Sequence, residues 1–201
     1  IGLFLTYSQF LLLATILVIS SSVAQDWVQN IMNMVMVQVR FVLIYSFGMT
    51  IAVLTGGLDL SLGSVAAFST CAAAFLLIRG QIVAGVVTCL LIGAILGMLN
   101  GLLITKAKVN PFIATYGMDW VIRGAVYIMM HGAMIYHFSS SFRNIADGSV
   151  FGVSNLVIIA VVVLVILLFV FQKTVFGRNV YMAGANRSVT HLTGVNTDLI
   201  I

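Results

Sequence analysis

The residues best suited to chemistry lie in a polar stretch, Thr55–Ser64, which interrupts an otherwise apolar region. Gly56 and Gly57 loosen a helix there, and Asp59 places a carboxylate near or within the apolar region. One interpretation is a tight turn in which Asp59 caps the next helix, because Asp is common at helix N-caps. The other is a broken helix whose polar backbone lines a substrate path, and the two are compatible. The candidates for such a path are Gly56, Gly57, Asp59, Ser61 and Asn100.

Asp119 and Arg123 form a second polar group, four positions apart with the acid first. This is the favourable spacing for an ion pair on a helix, and pairing lowers the cost of placing both charges in an apolar environment. We expect a structural ion pair here, with a gate or a substrate contact as the alternative. Asn100 can likewise bond to a neighbouring helix or touch a polar ligand, and bonding between helices is favoured.

The familiar motifs of catalysis are missing from the sequence. It has no GxxxxGK(S/T) phosphate loop, no HExxH and no GxSxG. The three histidines are widely separated, and Cys71 and Cys89 lie in apolar runs with neither a CxxC partner nor a nearby histidine. We therefore expect no catalytic residue, no metal site and no cofactor in this chain.

The composition indicates that transmembrane helices position these residues. Hydrophobic residues make up 62% of the 201 residues and charged residues only 7%, against about 25% charged residues in a soluble domain. So few charges cannot cover a water-facing surface, and lipid must therefore cover much of the chain. The net charge of +4 comes from scattered basic residues, without the dense patch expected of a nucleic-acid-binding protein.

Six runs are long and apolar enough to cross a bilayer, for which about 20 apolar residues are needed. They fill most of the chain, so we expect an all-α polytopic membrane protein with a single transmembrane domain, residues 1–201. Both ends fall in apolar sequence, which suggests a piece of a longer chain. The segment Phe41–Ile78 is either two full spans or one span plus a broken helix near Gly56–Asp59. The six runs are Leu3–Val23, Ile31–Thr55, Leu60–Ile78, Ile82–Ile104, Phe112–Met130 and Asn155–Phe171.

The distribution of basic residues predicts a topology. Lys106 and Lys108 follow the fourth run, and the basic segment Lys173–Asp198 follows the sixth. The two loops fall on the same side if all six runs span the membrane, whereas Arg79 and Arg143 fall on the other. Basic loops concentrate in the cytoplasm. We therefore predict that both basic loops are cytoplasmic and that the loop after the fifth run is external.

Small residues recur every four positions along the fourth run, at Gly85, Cys89, Gly93, Gly97 and Gly101. This spacing places them in one stripe, where the backbone of another helix can approach closely. We predict a tight helix–helix seam with direct packing at Gly93, Gly97 and Gly101. A smooth face lining a pore is the alternative.

The segment after the sixth run contains a short helix with its own start and stop signals. Asn186 is a suitable N-cap residue, and Arg187–Leu192 can form a short helix. Gly194 suits the position at which such a helix ends. Val189 and Leu192 would share one face of it. We predict a docking element for another protein; a helix that simply lies on the membrane interface is the alternative. The docking candidates are Gly184, Asn186, Arg187, Val189, Leu192 and Gly194.

Several blocks of the sequence resemble, in the same order and with similar spacing, the permease subunits of bacterial ABC importers for ribose, galactose, xylose, arabinose and related solutes. Gly56–Ser64 resembles that family's GG-(I/L)-DLS-x-GS stretch, and Asn100–Gly117 resembles its next block. Phe176–Asn186 and Leu192–Asn196 resemble its cytoplasmic loop. Branched-chain amino acid permeases and the autoinducer-2 permease are relatives of this family.

The resemblance implies a multi-pass subunit of the bacterial inner membrane, here the N-terminal part of a longer chain, that carries a monosaccharide and is not itself an enzyme. Its implied partners are a second permease subunit, in a homodimer or heterodimer, an ATP-binding subunit that hydrolyses ATP, and a periplasmic or lipid-anchored sugar-binding protein. Three alternatives remain. They are an ion-coupled transporter using Asp59 or Asp119, a channel or structural subunit, and an ABC permease for a non-sugar solute.

Overall fold

The computed structural model describes residues 14–16, 18 and 26–200, apart from the side chains of residues 27 and 28. The described residues form helices joined by short turns, together with one small hairpin. The helices are α1 (Trp27–Leu54), α2 (Leu62–Ile78), α3 (Ile82–Thr105), α4 (Pro111–Met130), α5 (Ser140–Asp147), α6 (Asn155–Lys173), α7 (Val175–Ala185) and α8 (Arg187–Leu192). A 3₁₀ turn covers Thr197–Leu199, and the strands are β1 (Ser149–Val150) and β2 (Val153–Ser154).

The chain divides into two compact units, Ile1–Val42 and Leu43–Ile201. In the described part of the first unit, the side chains from residue 29 to residue 39 are exposed. Arg40 donates from Nε to the carbonyl of Met36 at 3.0 Å, within the helix. The second unit contains all the candidate site residues.

Helix α2 packs against both α3 and α4. Most of the residues buried there are small, because small side chains let helix backbones approach closely in a membrane protein. Few large side chains are buried with them, and most large apolar residues elsewhere in the described chain are exposed, as expected of surfaces that lipid or other helices cover. The buried apolar residues of α2 and α4 are Ala73, Ala74, Leu77, Ala114 and Ile122.

Three helices are long and apolar enough to cross a membrane: Gln29–Leu54, Ile82–Thr105 and Asn155–Lys173. Helix α2, with 17 residues, is apolar but shorter. Helix α4 has 20 residues, but its charged pair lowers its hydropathy. Six spans are therefore not confirmed, and the first run, Leu3–Val23, lies almost wholly outside the described residues.

The all-α prediction holds except in the loop that follows α4. That loop contains α5, whose N-cap Ser139 accepts from the backbone N–H of Phe142. It also contains the hairpin, in which Ser149 pairs with Ser154 and Val150 with Val153. Phe151 and Gly152 form its turn, with φ of 51° and 79°. Such turns require positive φ at both central residues, so one small antiparallel element interrupts the helical fold.

Candidate functional site

The polar stretch of the sequence is a true break between two helices. We call Thr55–Ser61 the interrupted segment, because α1 ends at Leu54 and α2 begins at Leu62. Gly56 has φ +82°, and the N–H groups of Gly56 and Gly57 donate to the carbonyls of Val53 and Ala52 at 3.0 and 3.1 Å. This is the hydrogen-bond pattern of a glycine-terminated helix. The structure therefore has two helices in this region, the second of them short.

Asp59 accepts a backbone N–H at the start of α2, as predicted, but it does so in the turn that precedes the helix. Its Oδ1 accepts from the N–H of Ser61 at 2.9 Å and from the hydroxyl of Ser61 at 2.7 Å. The helix begins at Leu62 rather than near Leu60, and Ser61 occupies the N-cap position without a side-chain capping bond. The reason is that Asp side chains readily bond to the backbone two residues on, which forms a turn before the helix.

Asn100 connects α3 to this turn. Its Nδ2 donates to the hydroxyl oxygen of Ser61 at 2.8 Å, and its side chain lies among buried residues, with 4% of the residue exposed. The predicted bond between elements is therefore present. The other amide atom, Oδ1, is buried and has no hydrogen-bond partner among the described residues.

Thr115 of α4 holds the interrupted segment from the other side. Its hydroxyl oxygen accepts from the N–H of Leu60 at 3.2 Å and lies 3.1 Å from the carbonyl of Leu58 and 2.8 Å from that of Pro111. Thr115 could not be identified from the sequence, because a lone threonine one turn into an apolar helix carries no local signal. Its role depends on a contact 57 positions away along the chain.

A cavity of about 210 Å³ lies beside the interrupted segment, between α1, α3, α4 and the residue that begins α8. Asn100 lies five positions before the last residue of α3, which places it about 7–8 Å inside that end of the helix. Among the path candidates, Gly57, Asp59 and Asn100 line the cavity, whereas Gly56 and Ser61 lie behind the lining. Gly97, Gly101, Thr55, Thr115 and Arg187 also contribute to the walls.

The docking candidates begin next to this cavity. Arg187 donates from Nη2 to the carbonyl of Thr55 at 3.4 Å. A Cβ atom built at Gly184 would overlap the carbonyl of Leu54, and one built at Gly56 would lie 3.7 Å from the carbonyl oxygen of Gly184. The α7–α8 segment therefore lies directly against the interrupted segment. No local pattern indicated this contact.

The predicted short helix is confirmed as α8, Arg187–Leu192. Asn186 is its N-cap and accepts from the N–H of Val189 at 3.1 Å, and Gly194 after it has φ +82°. Val189 and Leu192 are 56% and 85% exposed, so the apolar face of α8 is open. Thr190, on the opposite side, is buried.

The charged pair of α4 forms as its spacing predicts, with Arg123 Nε donating to Asp119 Oδ2 at 2.7 Å. The Asp119 side chain is only 10% exposed, whereas that of Arg123 is 60% exposed. Asp119 Oδ1 accepts no hydrogen bond from the described residues. Ser64 lies nearby, and its hydroxyl donates to the carbonyl of Ser61 at 2.9 Å. In the described part of the chain, no three histidine, cysteine or acidic residues come together as a metal site would require.

The glycine stripe of α3 divides into two parts. A Cβ at Gly85 would collide with the Leu77 side chain, and one at Gly93 would lie 3.7 Å from Ser69 Oγ, so α2 packs along this half. At Gly97 no described atom lies within 4 Å of such a Cβ, and Gly97 and Gly101 line the cavity instead. The helix seam predicted at Gly97 therefore has no support from the described residues.

Lys106 connects the two basic loops. Its Nζ lies 2.8 Å from Asp198 Oδ2, and this hydrogen bond lowers the pKa of the Asp198 carboxyl. Both side chains are well exposed, so the pair contributes little to stability. The contact nonetheless places the loop after α3 and the segment up to Asp198 at the same end of the helices. The same end holds the interrupted segment.

Comparison with known proteins shows several similar permeases. The chain is 30% identical to the D-allose transport system permease protein of Escherichia coli, over 94% of this chain and 60% of that protein. It is 33% identical to the ribose import permease protein of Haemophilus influenzae, over 100% and 64% of the respective chains. It is 37% identical to the ribose import permease protein of Bacillus subtilis, over 83% of this chain and 52% of that protein. No solved structure matches the chain.

The chain thus spans between 52% and 64% of the length of these three relatives. Its three long apolar helices and its similarity to these permeases show that it is a multi-pass inner-membrane protein. Residues 31–201 match one family along their whole length. The chain belongs to the family described as branched-chain amino acid transport system / permease component.

Proposed function

We propose that this chain forms a transmembrane permease domain, residues 1–201, of an ATP-driven importer for a monosaccharide. The observation that carries the proposal is the contact between the α7–α8 segment and the interrupted segment, since Arg187 lines the cavity and also begins α8. An importer driven by a separate ATPase needs the element that receives the ATPase to touch the element that contacts the solute. Packed, rigid elements can transmit such a displacement.

The solute class follows from the relatives. The names of the matching proteins specify D-allose and ribose, both small polyhydroxylated sugars. The cavity walls combine a carboxylate, an amide and a hydroxyl, at Asp59, Asn100 and Thr115. Amide and hydroxyl groups of this kind can form hydrogen bonds with a solute that has several hydroxyl groups. The cavity also has apolar walls and contains Arg187, so the choice of a sugar over a branched-chain amino acid rests on the names of the relatives.

The partners follow from the same arrangement. Helix α8 exposes Val189 and Leu192 at the end of the helices that holds both basic loops. Basic loops favour the cytoplasm, where an ATP-binding subunit would lie. We place that subunit on α8, a second permease subunit beside this one, and a sugar-binding protein on the opposite side. Hydrolysis of ATP would then occur on the partner, and this chain would carry no catalytic residue.

The proposal is tested with the full-length subunit, co-purified with its ATP-binding subunit and reconstituted into vesicles with the sugar-binding protein. The assay measures uptake of radiolabelled D-ribose, D-allose and L-arabinose. We expect uptake of at least one sugar to require ATP hydrolysis and to continue in the presence of a protonophore. Uptake that needs an ion gradient and no ATP would establish a secondary transporter instead. Steady conductance in a planar bilayer would establish a channel. Uptake of leucine and of none of the sugars would refute the proposal that the solute is a monosaccharide.

A further inference from the structure

The segment that follows α7 is held to the rest of the structure at two separate points. At its start, Arg187 donates from Nη2 to the carbonyl of Thr55, the residue after α1, at 3.4 Å. Near its end, Asp198 Oδ2 lies 2.8 Å from the Nζ of Lys106, the C-cap residue of α3. We call residues 187–200 the strap, because they are held at the ends of two helices that both contribute walls to the cavity.

The strap forms one end of that cavity. Its first and last residues, Arg187 and Ile200, both line the cavity. Among the lining residues of α3, Gly97 lies farthest from the strap, eight positions before the last residue of the helix. That spacing corresponds to a depth of about 12 Å. The cavity therefore runs inward from the helix ends, and the strap lies across the end at which it begins.

The strap is a folded element with hydrogen bonds of its own. Asn186 caps α8, and the Asn196 side chain accepts from the N–H of Asp198 at 3.1 Å in the 3₁₀ turn. Thr190 and Thr197 are buried, with only 3% and 7% of each residue exposed. A rigid element of this kind moves as a unit, so the place of Asp198 decides where the far end of the strap lies.

The two attachments of the strap differ in strength. At the first, a Cβ atom at Gly184 would overlap the carbonyl of Leu54, so the chain that leads into the strap is packed tightly against the end of α1. At the second, the ion pair of Lys106 and Asp198 is open to solvent, with 67% and 42% of the two side chains exposed. An exposed pair shifts an equilibrium by only about two- to fivefold. The second attachment is therefore the one that can be released easily.

We propose that the strap is a gate at this end of the cavity and that the Lys106–Asp198 ion pair is its latch. With the pair formed, the strap joins the ends of α1 and α3 and restricts entry to the cavity. With the pair broken, the strap turns about its packed attachment to α1, and the cavity opens. That a sugar passes this gate rests on the proposed importer function, whereas the closing of the cavity does not.

The carboxylate is the partner to remove in a test. The hydrogen bond from Lys106 is the largest cause that lowers the pKa of the Asp198 carboxyl, and the charges of His191 and Lys108 act in the same direction. A neighbouring cation can therefore take the place of Lys106, whereas Asp198→Asn removes the negative charge that all of them face.

The experiment measures how fast a cysteine inside the cavity reacts. The reporter is Gly97→Cys, since no described atom lies within 4 Å of a Cβ there, in a background without Cys71 and Cys89. The full-length subunit with its ATP-binding subunit is assayed in membrane vesicles without nucleotide, using a cationic and an anionic methanethiosulfonate reagent, both impermeant. Lys173→Cys, at an exposed position of the same loop, identifies the vesicle orientation in which this face is accessible and controls for reagent strength.

Four variants are compared in the reporter background. Asp198→Asn should raise the reaction rate at position 97 by about two- to fivefold with both reagents, because the latch is lost. Lys106→Asp and Asp198→Lys should each raise the rate as well, and their combination should bring it back toward that of the wild type, because the pair forms again in reverse. Arg178→Gln, which removes a charge from an exposed position of α7, should react like the wild type.

The outcomes decide between a latch and its absence. Equal rates in Asp198→Asn and the wild type would overturn the latch, as would a double variant that reacts as fast as the single reversals. Opposite effects on the two reagents would show only a change in local charge, and would also overturn it. If a reversal does not fold, Asp198→Asn decides alone, since asparagine has nearly the shape of aspartate. A wild type that imports no sugar would remove the proposed function and leave the labelling result valid.

Discussion

Gly184 lies against the backbone carbonyl of Leu54 so closely that a Cβ atom at position 184 would overlap that oxygen. Leu54 is the last residue of α1 and Gly184 the second-last residue of α7. With the hydrogen bond from Arg187 to Thr55, this contact joins the end of α1 to the segment that carries α8. A displacement of α8 must therefore move the interrupted segment or break this packing.

The first prediction concerns this close contact. Gly184→Ala should lower the thermal stability of the detergent-solubilised protein, by about 1–3 kcal/mol in unfolding terms, because the methyl group meets backbone that cannot turn away. The measurement is melting followed by size-exclusion chromatography. Gly117→Ala is the matched control, since no described atom lies within 4 Å of a Cβ there and alanine favours a helix over glycine. Equal melting temperatures for the two variants would show that the contact is not tight.

The second prediction concerns the exposed face of α8. Leu192→Asp in the full-length subunit should insert normally but lose co-purification of the ATP-binding subunit, because a carboxylate replaces an apolar contact at the docking surface. Ser188→Asp is the control: it adds the same charge to the same helix at an exposed position without removing an apolar side chain. If Leu192→Asp retains the ATPase and wild-type uptake, α8 lies on the bilayer instead.

The third prediction is the topology. Single cysteines at Lys108 and Ser140, in a background without Cys71 and Cys89, should be labelled from opposite sides of the membrane by an impermeant thiol reagent. The basic loops predict that position 108 faces the cytoplasm. The contact between Lys106 and Asp198 extends the prediction, since a cysteine near Asp198 should follow position 108. Labelling of both single cysteines from outside the cell would refute this topology.

The fourth prediction tests whether another helix packs against Gly97. Gly97→Leu should leave the melting temperature near that of the wild type, because the position is open, but should reduce uptake by filling the cavity. Gly85→Leu is the contrast, since its side chain would collide with Leu77 and lower the yield of folded protein. Loss of folded protein in Gly97→Leu would mean that another helix does pack there.

The fifth prediction concerns the turn before α2. Asp59→Ala should lose about 1 kcal/mol of local stability, because both hydrogen bonds from Ser61 disappear. Asp59→Asn retains an acceptor oxygen and should melt close to the wild type. Asp147→Ala, at an exposed position of α5, controls for the loss of one negative charge. Transport lost equally in Asp59→Asn and Asp59→Ala, with normal folding, would show that the charge itself is required.

Local signals in the sequence were sufficient for several elements. Asn186 and Gly194 bracket α8, and the spacing of Asp119 and Arg123 predicts their ion pair. Each depends on residues within about two turns of helix, where spacing along the chain sets the distance in space. The break at Gly56 was predictable for the same reason, because a glycine with positive φ ends a helix locally.

Contacts between distant segments could not be predicted. Thr115 bonds to a residue 57 positions away, and Arg187 to one 132 positions away. The stripe from Gly85 to Gly101 carries a pattern but not the identity of its neighbour, so that the half facing α2 and the half facing the cavity look alike in sequence. Asp59 was one candidate for the N-cap of α2, and the structure has Ser61 at that position; both residue types suit an N-cap, so only the backbone geometry separates them.

The shortness of α2 has a consequence for any solute that enters the cavity. Its 17 residues span about 25 Å, less than the roughly 30 Å of a bilayer's hydrocarbon core. The interrupted segment before α2 must therefore complete part of this depth, where non-helical backbone is tolerated only beside protein or a water-filled cavity. A charged solute at the same depth would experience part of the membrane potential, whereas a neutral sugar would not, so its binding there should be independent of voltage.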